Sequence, residues 1–522
     1  MNPSSIRSRS WVSAASLGAL ALSLSLSACH TDPVLVEPCE GDAGETESQS
    51  PPNWPDEAFR STRPTPKQIQ SVIIPEISGF TLDNGMQVHL VQQKNLPTVY
   101  MLFEFDYGSV SDPRGKALSS ICGDLMDEST KTKDKAAFAA AQADHAVDVW
   151  TRPGADSTSI GVRALTRELP AALDLAAEMI LEPGLRESDL ERIKSQGKNQ
   201  IAQRKGSPGS VSSRVLPSLM WGSKHPYGQI ETEASVDAVR LSDCKRWVSK
   251  LRPKGAHLWV VGQISEAELR EQLGSRLSKW TGRAPEARVT PTPKPKAGTI
   301  FFVDVPDAAQ SQISVGHLGP ARDAEDYEAT QMVAAILGGS FSSRLNMNLR
   351  EDKGWAYGAR GGFYYRRGGS YFSAGSSVRS DATAGALREI AAEITRMRTT
   401  DPTSEELSRE RTGALLSLPA GFASATRTLF RFKNLAYYGL PLDWHTGHQE
   451  RLRAIEIADV RAAAETHLQA SDYVVLVVGD ASVVLEEVEK IAEDKLFGDG
   501  GITFLDTDGK RVGRPERDPA PQ

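Results

Sequence analysis

The sequence contains an internal repeat, and this repeat constrains the fold more than any other feature. The string WVVGQ at 259–263 corresponds to LVVGD at 476–480, an offset of 217 residues. At the same offset, IGVRALTRELPAALDLAAEMI (160–180) corresponds to a stretch that ends in GALREIAAEITRM (385–397), and DLER corresponds to ELSR. Three separated matches at one offset indicate a duplicated unit rather than a coincidence between two generic α/β segments.

Each copy is predicted to be an α+β domain of about 200 residues. A Pro-rich break at 284–297 divides the body into a first half, 68–283, and a second half, 298–500. The first half opens with alternating strand-like residues around a predicted hairpin turn at Asn84-Gly85. In each half a strand leads into an amphipathic helix, and three residue pairs occupy the same helical face: Leu173 and Ile390, Ala177 and Ile394, Ile180 and Met397.

The N-terminal segment is typical of a bacterial secretion signal. Arg7 and Arg9 precede an apolar run over 12–26, which is too short to span a membrane comfortably. The run ends in the string LSAC, which resembles a lipobox whose cysteine, here Cys29, receives the lipid. We therefore expect a signal peptide over 1–28 and a lipidated Cys29, with ordinary secretion and nearby cleavage as the alternative.

The lipid would hold the protein at the cell envelope. His30 follows Cys29, and the lack of Asp at this position favours the outer membrane, with the protein facing the periplasm. Residues 29–67 are acidic and rich in proline, which predicts a tether, and 501–522 are predicted to form a polar tail.

Composition excludes several functional classes. The net charge of −7 and the pI near 5.8 argue against a nucleic-acid partner, and no run after residue 30 is apolar enough for a membrane span. Beyond Cys29, three cysteines remain: Cys39, Cys122 and Cys244. Their odd number and lack of paired spacing predict neither a disulfide framework nor a zinc knot, and Cys122 is expected to be a small buried apolar residue.

Several strings then resemble the insulinase/pitrilysin family of zinc metallopeptidases, over nearly all of 70–495. They are FTLDNGMQVHLVQQ near the start of the first half, HPYG at 225–228, AQSQI at 309–313 and LGGSFSSRLNMNLREDKGWAYGAR at 337–360. The resemblance implies the LuxS/mitochondrial-processing-peptidase-like metallohydrolase fold. Each half would be a mainly antiparallel sheet with helices packed on one face, and the halves would help to enclose a peptide-sized chamber.

The zinc motif of active family members is missing. They carry H-x-x-E-H near the start of the first half, where two His bind zinc and the Glu activates a water. Two registers are possible here, and they place different residues at the His, Glu and His positions: Ser120, Gly123 and Asp124, or Leu118, Ile121 and Cys122. Neither register supplies an imidazole. We therefore expect no catalytic residue and no metal ligand in this chain.

The third ligand of the family, a Glu on a later helix, is also missing. Its expected position is near 198–200, and no Asp or Glu occurs between Arg192 and Ile230. Two other groups have a weaker claim to a metal: the acidic cluster Asp124, Asp127 and Glu128, and the pair His445 and His448. The acidic cluster is more typical of a solvated helix face, and the histidine pair is more typical of a variable polar stretch.

Arg350 and Tyr357 match an arginine–tyrosine pair of the family. They stand seven residues apart in LREDKGWAY, and the resemblance implies that they contact the substrate backbone and the oxygen that becomes negative in the transition state. Directional donors aimed at such an oxygen contribute roughly 3–4 kcal/mol. The alternative is structural, with Arg350 capping a helix and Tyr357 lying in a core.

Three functional hypotheses follow. The family includes bacterial two-chain peptidases in which one subunit carries zinc and the other supplies the Arg/Tyr pair, so the first is a non-catalytic subunit of a heterodimeric zinc endopeptidase. Its partner would be a paralogous subunit with the zinc motif, its substrates peptides in the cell envelope, and its zinc would be bound by that partner. The second is a peptide-binding or scaffolding pseudoenzyme lipoprotein, and the third a self-sufficient peptidase with an unusual metal site.

Overall fold

The structure is a computed structural model, and it describes residues 72–516 apart from 289, 292 and 472. These residues belong to one compact unit, Gln68–Gln522. The predicted signal peptide, the lipidated Cys29 and the tether over 29–67 lie outside the described residues, as does the end of the predicted tail. Among the described helices, none combines the length and apolarity that crossing a membrane requires.

The described part of the first half contains six strands and eight α-helices. The strands are β1 Ser78–Thr81, β2 Gln87–Gln92, β3 Thr98–Phe105, β4 Asp148–Pro153, β5 Thr158–Leu165 and β6 His257–Gly262. The helices are α1 Leu118–Met126, α2 Lys135–Asp144, α3 Leu169–Leu181, α4 Glu187–Lys205, α5 Pro208–Trp221, α6 Glu233–Asp237, α7 Leu241–Val248 and α8 Glu266–Leu277.

The described part of the second half repeats this arrangement. Its strands are β7 Thr299–Asp304, β8 Gln310–Gly319, β9 Ala356–Arg366, β10 Gly369–Arg379, β11 Val474–Gly479 and β12 Ile502–Leu505. Its helices are α9 Tyr327–Ala334, α10 Arg344–Asn346, α11 Thr383–Thr399, α12 Ser404–Ser417, α13 Ala425–Tyr437, α14 His448–Ala454, α15 Ile457–His467 and α16 Ala481–Glu493. Two π-helical turns, Ala335–Gly339 and Met347–Asp352, flank α10.

The two sheets have matching strand orders, which confirms the predicted duplication and α+β fold. The first runs β1-β2-β6-β3-β5-β4 and the second β12-β7-β11-β8-β10-β9. Most neighbouring strands are antiparallel, whereas β2 with β6, β7 with β11, and β7 with β12 are parallel. The predicted hairpin turn joins β1 to β2, with Gly85 at a φ of +85° that glycine adopts without a steric penalty.

The predicted helical faces pack against their own sheets. All six paired positions are buried: Leu173, Ala177 and Ile180 on α3, and Ile390, Ile394 and Met397 on α11. They join two separate apolar cores, one in each half, each formed between a sheet and the helices on one of its faces.

The opposite face of each sheet is covered in part by a helix of the other half. On α5, Val211, Val215 and Met220 pack against the second sheet, while on α13 Phe432 and Leu435 pack against the first. These two smaller cores contain apolar residues of both halves. The duplicated units are therefore joined by exchanged helices and cannot separate without exposing apolar surface to water.

Polar contacts reinforce this exchange. Lys433 of α13 forms a 2.5 Å ion pair with Glu104 of β3, and both side chains are almost completely buried. The Trp259 indole N–H also donates to Glu104. The Tyr227 and Tyr437 hydroxyls, one from each half, both donate to Asp156. Buried charges that are paired and hydrogen-bonded in this way fix the register between the halves.

Two sequence predictions are corrected by the structure. Cys122 of α1 and Cys244 of α7 form a disulfide, although they lie 122 residues apart. Cys122 is buried as expected, but it is not a free apolar residue. Spacing rules detect local cysteine pairs, whereas this pair meets only because α1 packs on α7. The segment predicted as a polar tail begins with β12, which pairs with β7, because Ile502–Leu505 continues the apolar sheet.

Replacing Lys433 with Met is expected to lower the free energy of unfolding by about 3 kcal/mol, because Glu104 is left buried without a counter-charge. Adding Glu104→Gln to the same chain removes that charge and is expected to restore part of the loss. Chemical denaturation measures both. Lys490→Met, which breaks an exposed helix pair, serves as the control and costs under about 1 kcal/mol. Equal losses in the Lys433 and Lys490 variants would contradict a buried, paired Glu104.

Removing the disulfide by Cys122→Ala with Cys244→Ala is expected to lower the free energy of unfolding by about 2–5 kcal/mol, because the reduced chain gains conformational freedom when unfolded. Peptide mapping of the unreduced wild-type protein checks the linkage directly. Recovery of both cysteines as alkylated free thiols from the folded protein would refute it.

Candidate functional site

Helix α1 carries both registers that the resemblance aligns with the zinc motif, and the residues of the first register do not suit a metal ion. The Ser120 hydroxyl donates to Glu231 at 2.9 Å. Gly123 lies under the ring of Pro153, so close that a Cβ at position 123 would stand 2.0 Å from the proline Cγ. A glutamate at the position of the family's catalytic base therefore has no room. Asp124 is exposed on the outer side of α1.

The second register fails for a different reason. Leu118, Ile121 and Cys122 are all buried, and Cys122 is held in the disulfide. Their side chains belong to the apolar core of the first half. The residues of this register therefore pack in the core and are not available to bind a metal ion.

The expected position of the third ligand lies on α4 and is also without a carboxylate. Lys198 stands there and forms a 2.8 Å ion pair with Asp237. Among residues 72–516, leaving aside the three undescribed positions, no group of three or more His, Cys, Asp or Glu side chains could hold a metal ion. The residues at this place do not fit the zinc that the family fold implies.

A cavity of about 350 Å³ lies beside this part of α1. Its lining includes Asp112, Ser119, Ser120, Glu231 and Arg366. Asp112 accepts hydrogen bonds from the Ser119 N–H and hydroxyl, so it caps the start of α1. Burial raises the pKa of Asp112 to about 6. Two pairs of its polar groups bind each other, Asp112 with Ser119 and Ser120 with Glu231.

The acidic cluster and the histidine pair singled out in the sequence have structural partners. Glu128 forms ion pairs with Arg192 and Lys135. His448 contacts Glu328 at 3.0 Å, and burial of His445 lowers its pKa to about 4. Glu128, His445 and His448 are therefore packed or ion-paired side chains of an ordinary kind.

Arg350 and Tyr357 lie close together in the second half. The Arg350 guanidinium carbon is 5.0 Å from the centroid of the Tyr357 ring and 4.7 Å from that of Phe341. Arg350 also contacts the neighbouring Glu351 at 3.1 Å. Tyr357 is 88% exposed. The structural alternative, in which Tyr357 lies in a core, is therefore wrong.

An irregular strand pairing explains why Tyr357 is exposed. Ala359 pairs with Ser376 and Ala356 with Val378, so Tyr357 and Gly358 together face the single residue Ser377. Such a β-bulge turns a side chain away from the face that the regular alternation would give it. Ala359 remains buried, whereas Tyr357 points away from the core.

The segment that carries Arg350 is anchored by a buried ion pair. The Arg344 guanidinium of α10 forms two hydrogen bonds with Glu406 of α12, at 2.7 and 2.8 Å. These bonds lower the pKa of Glu406 to about 2. Asn346 also stabilises this segment. Its side-chain N–H donates to the Phe341 carbonyl, and its side-chain oxygen accepts from the Ala359 N–H. The helix, the Phe341 loop and β9 are thereby fixed together.

Arg350 and Tyr357 line a cavity of about 680 Å³. The floor of the cavity is the part of the second sheet formed by β8, β10 and β9. Its walls are α5 of the first half and the loop around Phe341. The floor carries polar residues or glycine at every second position, namely Gln310, Gln312 and Ser314 on β8 and Ser373, Gly375 and Ser377 on β10. The cavity offers hydrogen-bond donors and acceptors over an area that accommodates several residues of a peptide.

Three further lining residues were missed in the sequence: Phe341, Arg360 and Tyr364. Phe341 and Tyr364 are 62% and 49% exposed, and Arg360 is exposed on the same strand as Tyr357. The alternation of small polar residues in QSQIS and SAGSS was the available signal, because a buried sheet face would carry larger apolar side chains there.

The site offers groups that can bind a peptide and polarise its carbonyl oxygens. Its lining combines two arginines, three tyrosines and a set of hydroxyl and amide groups, and it includes no histidine or carboxylate. Guanidinium and phenol groups donate hydrogen bonds to carbonyl oxygens and stabilise negative charge on them. The fold and site together define a duplicated protein of the peptidase type, in which the described residues form no metal-binding cluster.

Comparison with known proteins identifies the family. The model described as Insulinase (Peptidase family M16) matches residues 87–230, and that of the Peptidase M16 inactive domain matches residues 242–414. The chain belongs to the insulinase family, as a member without the zinc motif.

Two relatives illustrate the range of this family. An uncharacterized zinc protease of Mycobacterium leprae is 28% identical over 209 residues, which are 39% of this chain and 46% of the relative. The chain thus matches about half the length of that protein. A non-peptidase homolog of Helicobacter pylori, YmxG, is 20% identical over 407 residues, which cover 76% of this chain and 93% of the homolog.

The fold is also found in solved structures. A peptidase M16 inactive domain from Pseudomonas fluorescens has a TM-score of 0.71 and 24% identity, and the match covers 78% of this chain and 98% of that chain. This likeness extends over both halves and supports the matching strand orders described above.

The environment of Asp127 predicts a pH-dependent stability. Burial raises the pKa of Asp127 to about 7, the Thr151 N–H acts against this, and the charges of Asp124 and Glu128 add to it. Between about pH 4 and pH 7 the folded protein keeps a proton that the unfolded chain releases, so the free energy of unfolding falls as the pH rises.

Asp127→Asn is expected to remove the contribution of this carboxyl, so that between pH 5 and pH 8 the variant loses about 2–3 kcal/mol less than the wild type. Urea denaturation at the two pH values measures the difference. Asp401→Asn, at an exposed position, should leave the wild-type dependence unchanged. Identical pH profiles for wild type and Asp127→Asn would refute the assignment.

Proposed function

We propose that this protein is the non-catalytic, substrate-contacting subunit of a heterodimeric zinc endopeptidase that acts on peptides in the cell envelope. One observation carries the proposal: α1 offers no imidazole at the metal-binding positions and no room for a side chain at Gly123, while Arg350 and the exposed Tyr357 lie together at the 680 Å³ cavity. A chain without zinc ligands that still has the Arg350 and Tyr357 pair fits a two-chain enzyme, in which one subunit binds zinc and the other contacts the substrate.

The exposure of the pair supports a role toward another molecule. A tyrosine that only stabilised the fold would gain most by being buried, whereas 88% of Tyr357 is accessible. Neighbouring Phe341 is also exposed and holds the Arg350 guanidinium on its ring face. The partner is expected to be a paralogous subunit with the zinc motif, and zinc would be bound by that subunit alone.

The location is proposed from two features. Lipidation at Cys29, followed by the tether over 29–67, would hold the protein at the outer membrane facing the periplasm. The disulfide between Cys122 and Cys244 supports an oxidising compartment, because such bonds persist there and are rare in a reducing cytosol.

A second candidate is a peptide-binding or scaffolding lipoprotein without any proteolytic role. The cavity supports it, because residues of this chain alone form its floor and walls. The two functions differ in whether a zinc-bearing partner depends on Arg350 and Tyr357.

The test is a peptide-cleavage assay with the purified chain, a zinc-motif paralogue encoded in the same genome, and their mixture. The mixture is expected to cleave, whereas this chain alone is inactive. Arg350→Ala with Tyr357→Phe is expected to lower kcat/KM of the mixture about 100-fold or more, the usual effect of removing groups that stabilise a developing oxyanion.

Exposed Arg388 lies outside the site, in an ion pair with Asp494, and Arg388→Ala is the matched control. Size-exclusion chromatography of each variant shows whether the complex still forms. The proposal fails if the paralogue alone is fully active, or if the Arg350 and Tyr357 changes leave the assembled complex unaffected. Recovery from membranes without any zinc-motif chain favours the scaffolding function.

A further inference from the structure

Two neighbouring loops of the first half form a surface that we call the basic patch. Its five basic residues are Lys250, Arg252, Lys254, Lys279 and Arg283. They lie in the loop between α7 and β6 and in the segment that follows α8. Neither 249–255 nor 279–284 contains an Asp or a Glu. Arg252 is partly buried, and the other four residues are exposed.

Backbone contacts hold the two loops side by side. The Lys254 N–H donates to the Gly282 carbonyl at 3.1 Å, and the Ala284 N–H donates to the Lys254 carbonyl at 2.9 Å. Lys254 and Arg283 thereby form a parallel β-bridge, so their side chains leave the backbone side by side. The Arg252 side chain crosses Gly282, where a Cβ would stand 3.3 Å from the Arg252 Cδ. The fold therefore gathers these cations over one small area.

The protein does not neutralise the charges of the basic patch. Among the described residues, none of the five has an ion pair, and one side-chain hydrogen bond is made, from Arg252 to the Ser249 carbonyl. Asp83 lies in the β1–β2 turn that contacts Lys254, and Glu286 follows the second loop, yet neither is paired with the patch. The whole chain has a net charge of −7. Cations held together in this way repel one another, and an anionic surface relieves that repulsion.

We propose that the basic patch docks the body of the protein on an anionic membrane surface. This docking rests on the proposed envelope location and not on the peptidase role, because the lipid expected at Cys29 would hold the body beside such a surface. Residues 29–71 span at most about 150 Å when fully extended. That length lets the body turn the patch toward the membrane to which the lipid is attached.

The shape of the patch favours a membrane over a small anion. None of its five residues lines any of the three cavities described above, so the patch offers no pocket for a compact ligand. A bilayer surface, in contrast, contacts several cations at once, and each Lys or Arg near anionic lipid strengthens binding roughly fivefold. Because the patch lies apart from the cavity of Arg350 and Tyr357, docking leaves the lining of that cavity uncovered.

The test measures binding to lipid vesicles by sedimentation. It uses the full chain without its signal peptide and with Cys29→Ser, so that no lipid is attached. One set of vesicles is phosphatidylcholine alone, and the other contains about one-third phosphatidylglycerol, an anionic lipid. We expect binding to the anionic vesicles to be at least about tenfold stronger and to weaken as the salt concentration is raised. Combining Lys250→Gln, Lys254→Gln and Arg283→Gln is expected to reduce the preference below about twofold.

The matched control replaces three exposed basic residues outside the patch, Lys94, Arg152 and Lys224, with Gln. Lys94 follows β2 at the end away from the β1–β2 turn, Arg152 lies on β4, and Lys224 follows α5. This variant changes the net charge by the same amount and is expected to keep the tenfold preference. An equal loss in the two triple variants would show a diffuse charge effect and overturn the proposal.

Three other outcomes would also overturn it. One is equal binding of the starting protein to the two kinds of vesicle. Another is complete displacement from the anionic vesicles by inorganic phosphate at constant ionic strength, because a small anion would then suffice. The third is carbodiimide cross-linking of Lys250 or Lys254 to 30–59, which contains acidic residues and no Lys or Arg, in a protein that binds no vesicles. The acidic tether would then be the occupant.

These outcomes are separate from the proposed function. The protein used carries no lipid and keeps Arg350 and Tyr357 unchanged, so a failure of vesicle binding refutes the docking surface alone. Lipidation at Cys29 and the role of the pair are decided by their own measurements.

Discussion

The exchange of helices α5 and α13 between the two halves is the contact on which the rest of the structure depends. Each helix buries apolar residues against the sheet of the opposite half, so the duplicated units share two cores in addition to their own. The buried pair of Lys433 and Glu104 then fixes where α13 lies on the first sheet. Since hydrophobic contact is not directional, such paired charges supply the register that apolar packing lacks.

The same exchange creates the candidate site. Helix α5 packs on the part of the second sheet around Phe301, Val303 and Leu476, and the remaining strands present a polar face beside it. The first sheet differs at the corresponding edge. There Trp150 lies directly on Gly161, where a Cβ would stand 2.1 Å from the indole ring. One half therefore fills its sheet face with a large aromatic residue, and the other leaves space lined by hydroxyl groups.

The positions on α1 that the resemblance aligns with the zinc motif differ from it in packing as well as in residue type. Gly123 lies against Pro153, and Cys122 is tied to Cys244, so α1 is held by a covalent link and close contacts where active relatives hold zinc. Placing a glutamate at position 123 would require α1 or Pro153 to move. The residues at these positions of α1 are therefore part of the core of the first half. Arg350 and the exposed Tyr357 of the second half are not part of a core.

The duplication, the α+β class and the faces of α3 and α11 could be predicted from the sequence, because periodicity and a constant offset are properties of the linear chain. The disulfide, the helix exchange and the Tyr357 bulge could not. Each depends on residues that are distant in sequence or on an irregular register between β9 and β10. For the same reason Arg360 was missed, since its lack of a partner is visible only once its neighbours in space are known.

The central claim is that Tyr357 faces a bound peptide in the proposed two-chain peptidase. Photo-crosslinking from a photoreactive phenylalanine analogue at position 357 tests it most directly, with the complex, a peptide substrate and the same analogue at position 152 as the control. The account predicts that the peptide is labelled from 357 and not from 152. Labelling from both positions equally, or from neither while the complex cleaves the peptide, would contradict it.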